Sequence, residues 1–255
     1  FAVDYWKINQ TDLVGIFGAT NQLIMDYYLR EIGSFNENVV RAAPDAQQIA
    51  DGLAAGLDPV GTILSIKDDY LNLQPRESEG VDYRMHYSLR DTPVGSFTWT
   101  VNVSQWLKLY QEANENHQML LDGLKDGVIS GVTVSGVEEL VRRNGRPQWK
   151  ASSSLTWDNG PWSTGLYSSY VSDYYDTSAT LAGTEDYWVV EDWLTHNLYV
   201  QYEFESGRME GTRLRVGARN ITNEDPPLAN ERYGYDGSVH SNRGRWWYAT
   251  IRKEF

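Results

Sequence analysis

The sequence contains no cysteine, so it has neither a disulfide framework nor a thiolate metal site. It also has no long apolar run, and its mean hydropathy is −0.52. A membrane-crossing helix, which needs about 20 consecutive apolar residues, is therefore excluded. Basic residues are scarce: 22 Lys and Arg stand against 35 Asp and Glu, a formal net charge of −13. That balance argues against nucleic acid as a partner, because phosphate recognition wants basic patches. Signatures of catalysis are missing as well. There is no HExxH, no G-x-S-x-G elbow and no P-loop, and His86, His117, His196 and His240 lack zinc-ligand spacing. No enzyme activity, metal or cofactor is expected.

What the chain does have is aromatic residues, with ten Trp and seventeen Tyr in 255 residues. They suit a membrane-interface girdle, where amphipathic rings sit between headgroups and hydrocarbon. The low mean hydropathy does not argue against this. A transmembrane barrel alternates lipid-facing and lumen-facing residues, so averaging hides it.

The alternation is clearest towards the end of the chain. Thr212, Leu214, Val216 and Ala218 alternate with Arg213, Arg215, Gly217 and Arg219, a strand with one apolar and one cationic face. Asn220 to Arg245 is rich in Asn, Asp, Gly and Pro and reads as a loop. In the final strand Trp247, Ala249, Ile251 and Phe255 share one face; Trp246, Tyr248, Thr250, Arg252 and Glu254 share the other. A terminal strand whose edge is unpaired is an aggregation hazard, and closing a barrel is the way to abolish edges.

Upstream, period-two segments predict strands from Phe1 to near Asp12, around Val81–Leu89, from Phe97 to Leu109, from Gln148 to Trp157, from Trp162 to Tyr174 and from Trp193 to Glu205. Helical spacing appears in Asn21–Ile32, in Pro44–Ala55 and, opened by a capping box at Ser135-Gly-Val-Glu138, in a short segment ending before Gly145. Of eight expected strands, short turns follow residues 89, 157 and 205, while long loops begin near 13, 111, 175 and 220. Strict alternation of short and long connections is what a transmembrane barrel predicts.

These pieces resemble a known family. Val216-Gly-Ala-Arg-Asn-Ile-Thr-Asn-Glu-Asp-Pro-Pro227, Tyr233-Gly-Tyr-Asp236, His240, Gly244-Arg245 and the final Phe255 are similar to the C-terminal end of a TonB-dependent outer-membrane receptor. Val3-Asp-Tyr-Trp-Lys-Ile8 and Glu79-Gly-Val-Asp-Tyr83 are similar to its upstream barrel strands. The resemblance implies an all-β fold, a transmembrane antiparallel β-barrel of which residues 1–255 are the C-terminal portion. About eight strands would form an arc of a barrel of about 22, with short helices in long extracellular loops and with plug domain and signal peptide outside the chain. It implies TonB-dependent uptake of a scarce ligand, of siderophore, cobalamin or oligosaccharide class, at the outer membrane of a Gram-negative bacterium. Partners would be outer-membrane lipid, the remainder of the same receptor (N-terminal strands and plug), the TonB complex through that plug, and the barrel assembly machinery. A complete small outer-membrane barrel with a structural or adhesion role, and a secreted β-rich glycan-binding protein, are the rival readings.

Candidate ligand-binding residues in the expected outer loops are Tyr187, Trp188, Tyr233, Tyr235, Asp236 and His240, since aromatic faces stack on sugars or flat chelates and polar neighbours orient them. Arg84, Arg213, Arg215 and Arg219 are expected to face the lumen. The last three either guide an anionic ligand or pair with Glu203 and Glu205 across the neighbouring strand. Trp247, Ile251 and Phe255 are, by resemblance, the assembly signal, with Lys253 on the outward face as a departure from the family pattern. Asp173, Asp176, Glu185, Asp186, Glu191 and Asp192 crowd one loop; a hard cation or plain solvation would account for them.

Overall fold

A computed structural model describes residues 1–56, 58–184 and 186–254. Two compact units divide the chain: residues 1–7, 78–109 and 141–255 form one, and residues 8–77 and 110–140 the other.

The first unit is dominated by a meander of eight long strands: β1 (Ala2–Gln10), β2 (Arg76–Thr92), β3 (Gly95–Gln111), β4 (Trp149–Asn159), β5 (Trp162–Val171), β6 (Trp193–Phe204), β7 (Thr212–Arg219) and β8 (Trp246–Lys253). Each is a neighbour of the next in the sheet, and the registers of β3–β4, β4–β5, β5–β6, β6–β7 and β7–β8 are antiparallel. Strand content and order agree with the alternation in the sequence. The connections sort by length as expected: tight turns at Pro93–Val94 and Gly160–Pro161 and a single 3-10 turn at Gly207–Met209, against long segments 112–148, 172–192 and 220–245.

Register fixes which residues share a face. Gly165 is opposite Thr156 and Tyr199, Tyr199 opposite Gly217, and Gly217 opposite Tyr248. On that polar face lie Thr98, Thr100, Asn102, Ser152, Ser154, Tyr199, Gln201, Glu203, Arg213, Arg215, Thr250 and Arg252. Phe97, Trp99, Val101, Leu155, Leu166, Leu198, Val200, Val216 and Ile251 make the opposite face, where Trp99, Leu155, Leu166, Val200, Val216 and Ile251 are all exposed. So extended an exposed apolar surface calls for an apolar neighbour. Its polar groups satisfy one another: Trp99 Nε1 donates to Ser153 Oγ at 2.9 Å, and Ser168 Oγ is bonded to His196 Nδ1 at 2.8 Å.

Aromatic rings bracket this face. Trp149 and Trp157 lie at the two ends of β4, and Trp162 and Tyr170 at the two ends of β5. Each pair is eight positions apart, about 27 Å along a strand; at a tilt of about 40° the rings stand about 20 Å apart in height, close to the apolar band of a membrane barrel. At the short-turn end Trp162 packs edge-on to Tyr202 and Tyr202 to Phe204.

The second unit has its own core of Phe17, Ile24, Met25, Leu120, Ile129, Val134 and Val137. Helix α1 (Ala19–Glu31) ends where Gly33 takes a positive φ and Ser34 N–H returns to Leu29 O. Helix α2 (Ala46–Ala55) starts with a reciprocal capping box between Asp45 and Gln48 and stops at left-handed Gly56. Both agree with the sequence. The carboxylate of Asp26, 1% exposed, holds Arg30 and Arg41 at 3.0 Å.

The third helix differs from expectation. The capping-box pattern at Ser135 opens no helix; helix α3 is Glu115–Lys125, capped by Asn114. Ser135 is engaged elsewhere: its N–H and hydroxyl donate to Asn21 Oδ1, and its carbonyl accepts from Asn21 Nδ2. Gly136, Glu138 and Arg142 then adopt positive φ, a conformation no helix propagates through. The strand expected to reach Tyr174 ends at Val171, because Ser172 Oγ turns back to accept the N–H of Trp149.

Candidate ligand-binding loops and polar face

Two regions of the first unit collect the residues that could meet a ligand. The first is the long connection 172–192, a two-stranded ribbon of Tyr174–Thr180 and Tyr187–Val190, stapled to the connection 220–245. Asn220 and Asn223 start that connection in the left-handed region, where Asn is the non-glycine residue best tolerated. Asn220 then brackets Glu224, accepting its N–H and donating to its carbonyl, both at 2.8 Å.

Two Asp-x-Ser turns clamp the segments together. Asp176 accepts from Ser178 N and Oγ with Oδ1, and from Asn230 N–H with Oδ2 at 2.8 Å. Asp236 accepts from Ser238 N and Oγ with Oδ1, and from the Tyr174 hydroxyl with Oδ2 at 3.1 Å. His240, 5% exposed, lies parallel to Tyr174 at 5.9 Å between centroids and edge-on to Trp193 at 5.4 Å. Among the described residues neither of its ring nitrogens has a hydrogen-bond partner.

The electrostatics follow from this packing. Burial pushes the Tyr174 phenol up, with the Asp236 charge adding to it, so it stays a donor. Burial opposes the charge of Asp236, but the bonds from Ser238 and Tyr174 outweigh it and hold the carboxyl below its usual range. Burial lowers the His240 pKa against the opposing pull of Asp236, which favours neutral imidazole. The node is a buried hydrogen-bonded staple rather than an open acid–base site.

Of the six loop candidates, the structure brings Asp236 and His240 together in this node. Tyr187 and Trp188 lie on the ribbon, Trp188 donating its indole N–H to Leu228 O at 2.8 Å. Tyr233 stands out at 76% exposure with Arg232 over its ring, and Tyr235 is half-buried nearby. Sequence reasoning missed Tyr174, Trp193 and Asn230 and read Asp176 as part of an acidic cluster, where it is a clamp; only the repeated Asp-x-Ser spacing could have hinted at the clamps. Among the described residues no His, Asp and Glu gather in a metal-holding group: Asp173 pairs with Arg142 and Asp176 is consumed by Ser178 and Asn230. Glu185 and Phe255 lie outside the described residues.

The second region is the polar face of β6–β8, where Gln201, Arg213, Arg215, Arg219, Tyr248, Thr250 and Arg252 line a concavity of about 380 Å³. Arg213 takes Glu203 at 2.8 Å and Glu254 at 3.5 Å. Arg215 bonds Gln201 and lies 4.1 Å over the Tyr199 ring. Cross-strand pairing thus engages Arg213 and Arg215, and of the two acids proposed for that pairing Glu203 is the one used. Arg84 is exposed on the polar face of β2. Trp247 and Ile251, 65% and 73% exposed, lie on the apolar face of β8.

The comparisons with known proteins agree with this architecture. The family model described as TonB dependent receptor-like, beta-barrel, matches residues 1–221. Two solved structures of the ferric enterobactin receptor of Pseudomonas aeruginosa are similar in fold. One, carrying two substitutions, has a TM-score of 0.51; the other, a single mutant in complex with enterobactin, has 0.50. Each is 12% identical and is matched over 98% of this chain and 28% of its own. The ferric citrate transporter FecA, unliganded, is 13% identical over 80% of this chain and 33% of its own, with a TM-score of 0.37. None of the curated proteins compared matches the chain. The chain spans little more than a quarter of the length of the enterobactin receptors it resembles.

Proposed function

The chain belongs to the TonB-dependent receptor β-barrel family, and we propose that it is the C-terminal arc of such a receptor's wall in a Gram-negative outer membrane. The observation that supports this is the two-faced sheet, with an exposed apolar surface backed throughout by a polar one. A lipid-facing wall around a wet lumen wants that arrangement. The receptor would capture a scarce ligand, of siderophore, cobalamin or oligosaccharide class, at the loops around residues 172–192 and 220–245. Uptake would draw on the TonB complex through a plug domain, and the assembly machinery would read the last strand through Trp247, Ile251 and Phe255. Arg84, Arg213, Arg215 and Arg219 would face the lumen.

The open sheet favours an arc over a closed small barrel, since β1 and β8 are its two ends and, among the described residues, do not pair with each other. A secreted glycan-binding protein would leave the apolar face in water, which is costly. The test is growth of cells carrying the receptor gene or lacking the codons for residues 1–255, on ferric chelates, cobalamin or oligosaccharides as the limiting nutrient. Growth on at least one nutrient should require both these codons and TonB. Growth that is independent of TonB on every nutrient tested would overturn the proposal.

A further inference from the structure

Several basic side chains of the chain are paired with an acid. Arg213 has Glu203 and Glu254, Arg142 has Asp173, and Arg30 and Arg41 share Asp26. That is expected in a chain with 35 acidic and 22 basic residues. Arg219, Arg243 and Arg245 are among those that are not. Among the described residues, no carboxylate forms an ion pair with any of them, although Glu224 and Asp225 are close in sequence.

The three gather at one end of β7 and β8. Arg219 is opposite Trp246 in register and lies 5.0 Å over its ring. Arg243 and Arg245 come immediately before that strand and, with Asn223, Gly244 and Trp246, line a concavity of about 450 Å³. Asn223 Oδ1 accepts the backbone N–H of Arg245 at 2.8 Å, which leaves Nδ2 as a donor. Arg245 gives one side-chain N–H to Ile221 O at 3.3 Å, and the Arg243 guanidinium has no partner among the described residues. Gly244 permits the close approach, since a Cβ there would sit 3.0 Å from Asn223 Oδ1.

We propose that Arg243, Arg245 and Nδ2 of Asn223 form a binding site for a phosphate-bearing anion. Guanidinium forks match the oxygens of a phosphate in a bidentate way, and the amide adds a neutral donor. Trp246 supplies an apolar wall, and Arg219 over its ring adds positive potential. Two sources carry this chemistry. One is the headgroup of a phosphorylated lipid at this strand end, a level that the exposed Trp247 on the other face of β8 also marks. The other is a soluble phosphoester. The site adjoins the polar-face concavity, which Arg219 also lines, but uses none of its partnered arginines, and it stands whether or not the transport reading holds.

The experiment uses the whole chain in detergent micelles doped with phosphatidic acid or with diacylglycerol of the same acyl chains, and counts retained lipid by native mass spectrometry. Phosphatidic acid should be retained about ten-fold over diacylglycerol, and R243Q/R245Q should bring the ratio near one. R243Q alone, which removes a side chain without a partner and so spares the fold, should lower it several-fold. R208Q, at the opposite end of β7, should leave it unchanged. Adding inorganic phosphate separates the sources: competition at millimolar concentration assigns the site to soluble phosphates as well, and its failure assigns it to lipid. Equal retention of both lipids by the unsubstituted chain, a ratio that survives R243Q/R245Q, or an equal loss in R208Q would each overturn the proposal.

Discussion

The hydroxyl of Tyr174 donates to Oδ2 of Asp236 at 3.1 Å, joining two residues 62 apart in sequence. Tyr174 is 1% exposed and its ring also stacks on His240, so the bond sits at the centre of the loop node. Tyr174→Phe keeps the stacking and removes the donor, leaving a carboxylate oxygen of Asp236 unpaired. The expected loss is about 1–3 kcal/mol, concentrated in loop docking. Amide exchange across 236–240 should accelerate while that of β7 stays the same; unchanged exchange would show that stacking alone holds the loop.

Acid should loosen the helical unit through His117. This residue is 4% exposed, takes Asn114 Oδ1 at 2.8 Å and packs edge-on to Phe17. Burial lowers its pKa from 6.5 to about 4. Between those values the unfolded chain binds the proton and the folded one does not, so stability rises with pH. The contribution is complete above pH 6.5 and lost progressively as pH falls towards 4, a total of about 3 kcal/mol. Urea unfolding followed at α3 should weaken accordingly, and His117→Leu should flatten this part of the profile. An equal slope in the variant would assign the acid sensitivity to other groups.

Val101 and Thr100 are neighbours on opposite faces of β3. Val101→Arg should cost about 2–4 kcal/mol near the bilayer midplane, whereas Thr100→Arg should cost far less. Folding equilibria in lipid vesicles measure both. Equal penalties would mean that the apolar face does not contact lipid.

Gly217 is a glycine because of Tyr248. A Cβ at 217 would stand 2.6 Å from the Tyr248 ring and 2.8 Å from Leu198 O. Gly217→Ala must therefore displace the ring or the neighbouring backbone, at about 1–3 kcal/mol. A lowered unfolding midpoint is expected, with Gly211→Ala unsuitable as a control because its φ is positive. An unaltered midpoint for Gly217→Ala would show that Tyr248 is free to leave this position.

Much of the fold was legible in the chain itself. Each strand of a membrane wall meets hydrocarbon on one side and water on the other, so the period of two is written into Phe97–Leu109 and Thr212–Arg219 whatever their partners. The same pressure makes the short turns and long loops visible, and caps such as Asp45 with Gln48 are local enough to be read directly. The alternation of Arg213 and Arg215 with apolar residues located the charged face, but it left open whether those charges would be paired.

The tertiary structure decided what depends on distant partners. Ser135 carries a local capping signal, yet Asn21, 114 positions away, takes its N–H and carbonyl, and the helix forms instead at Glu115–Lys125, where Asn114 caps it. Asp236 and His240 were recognisable as polar loop residues; that they are consumed by Tyr174 and Trp193 required the ribbon and the loop to be folded together. Cross-strand register likewise chose Glu203 for Arg213 and placed Trp246, not an acid, opposite Arg219. Backbone periodicity is a property of neighbours in sequence, whereas the pairing of a buried or charged group is set by whichever segment the fold delivers to it.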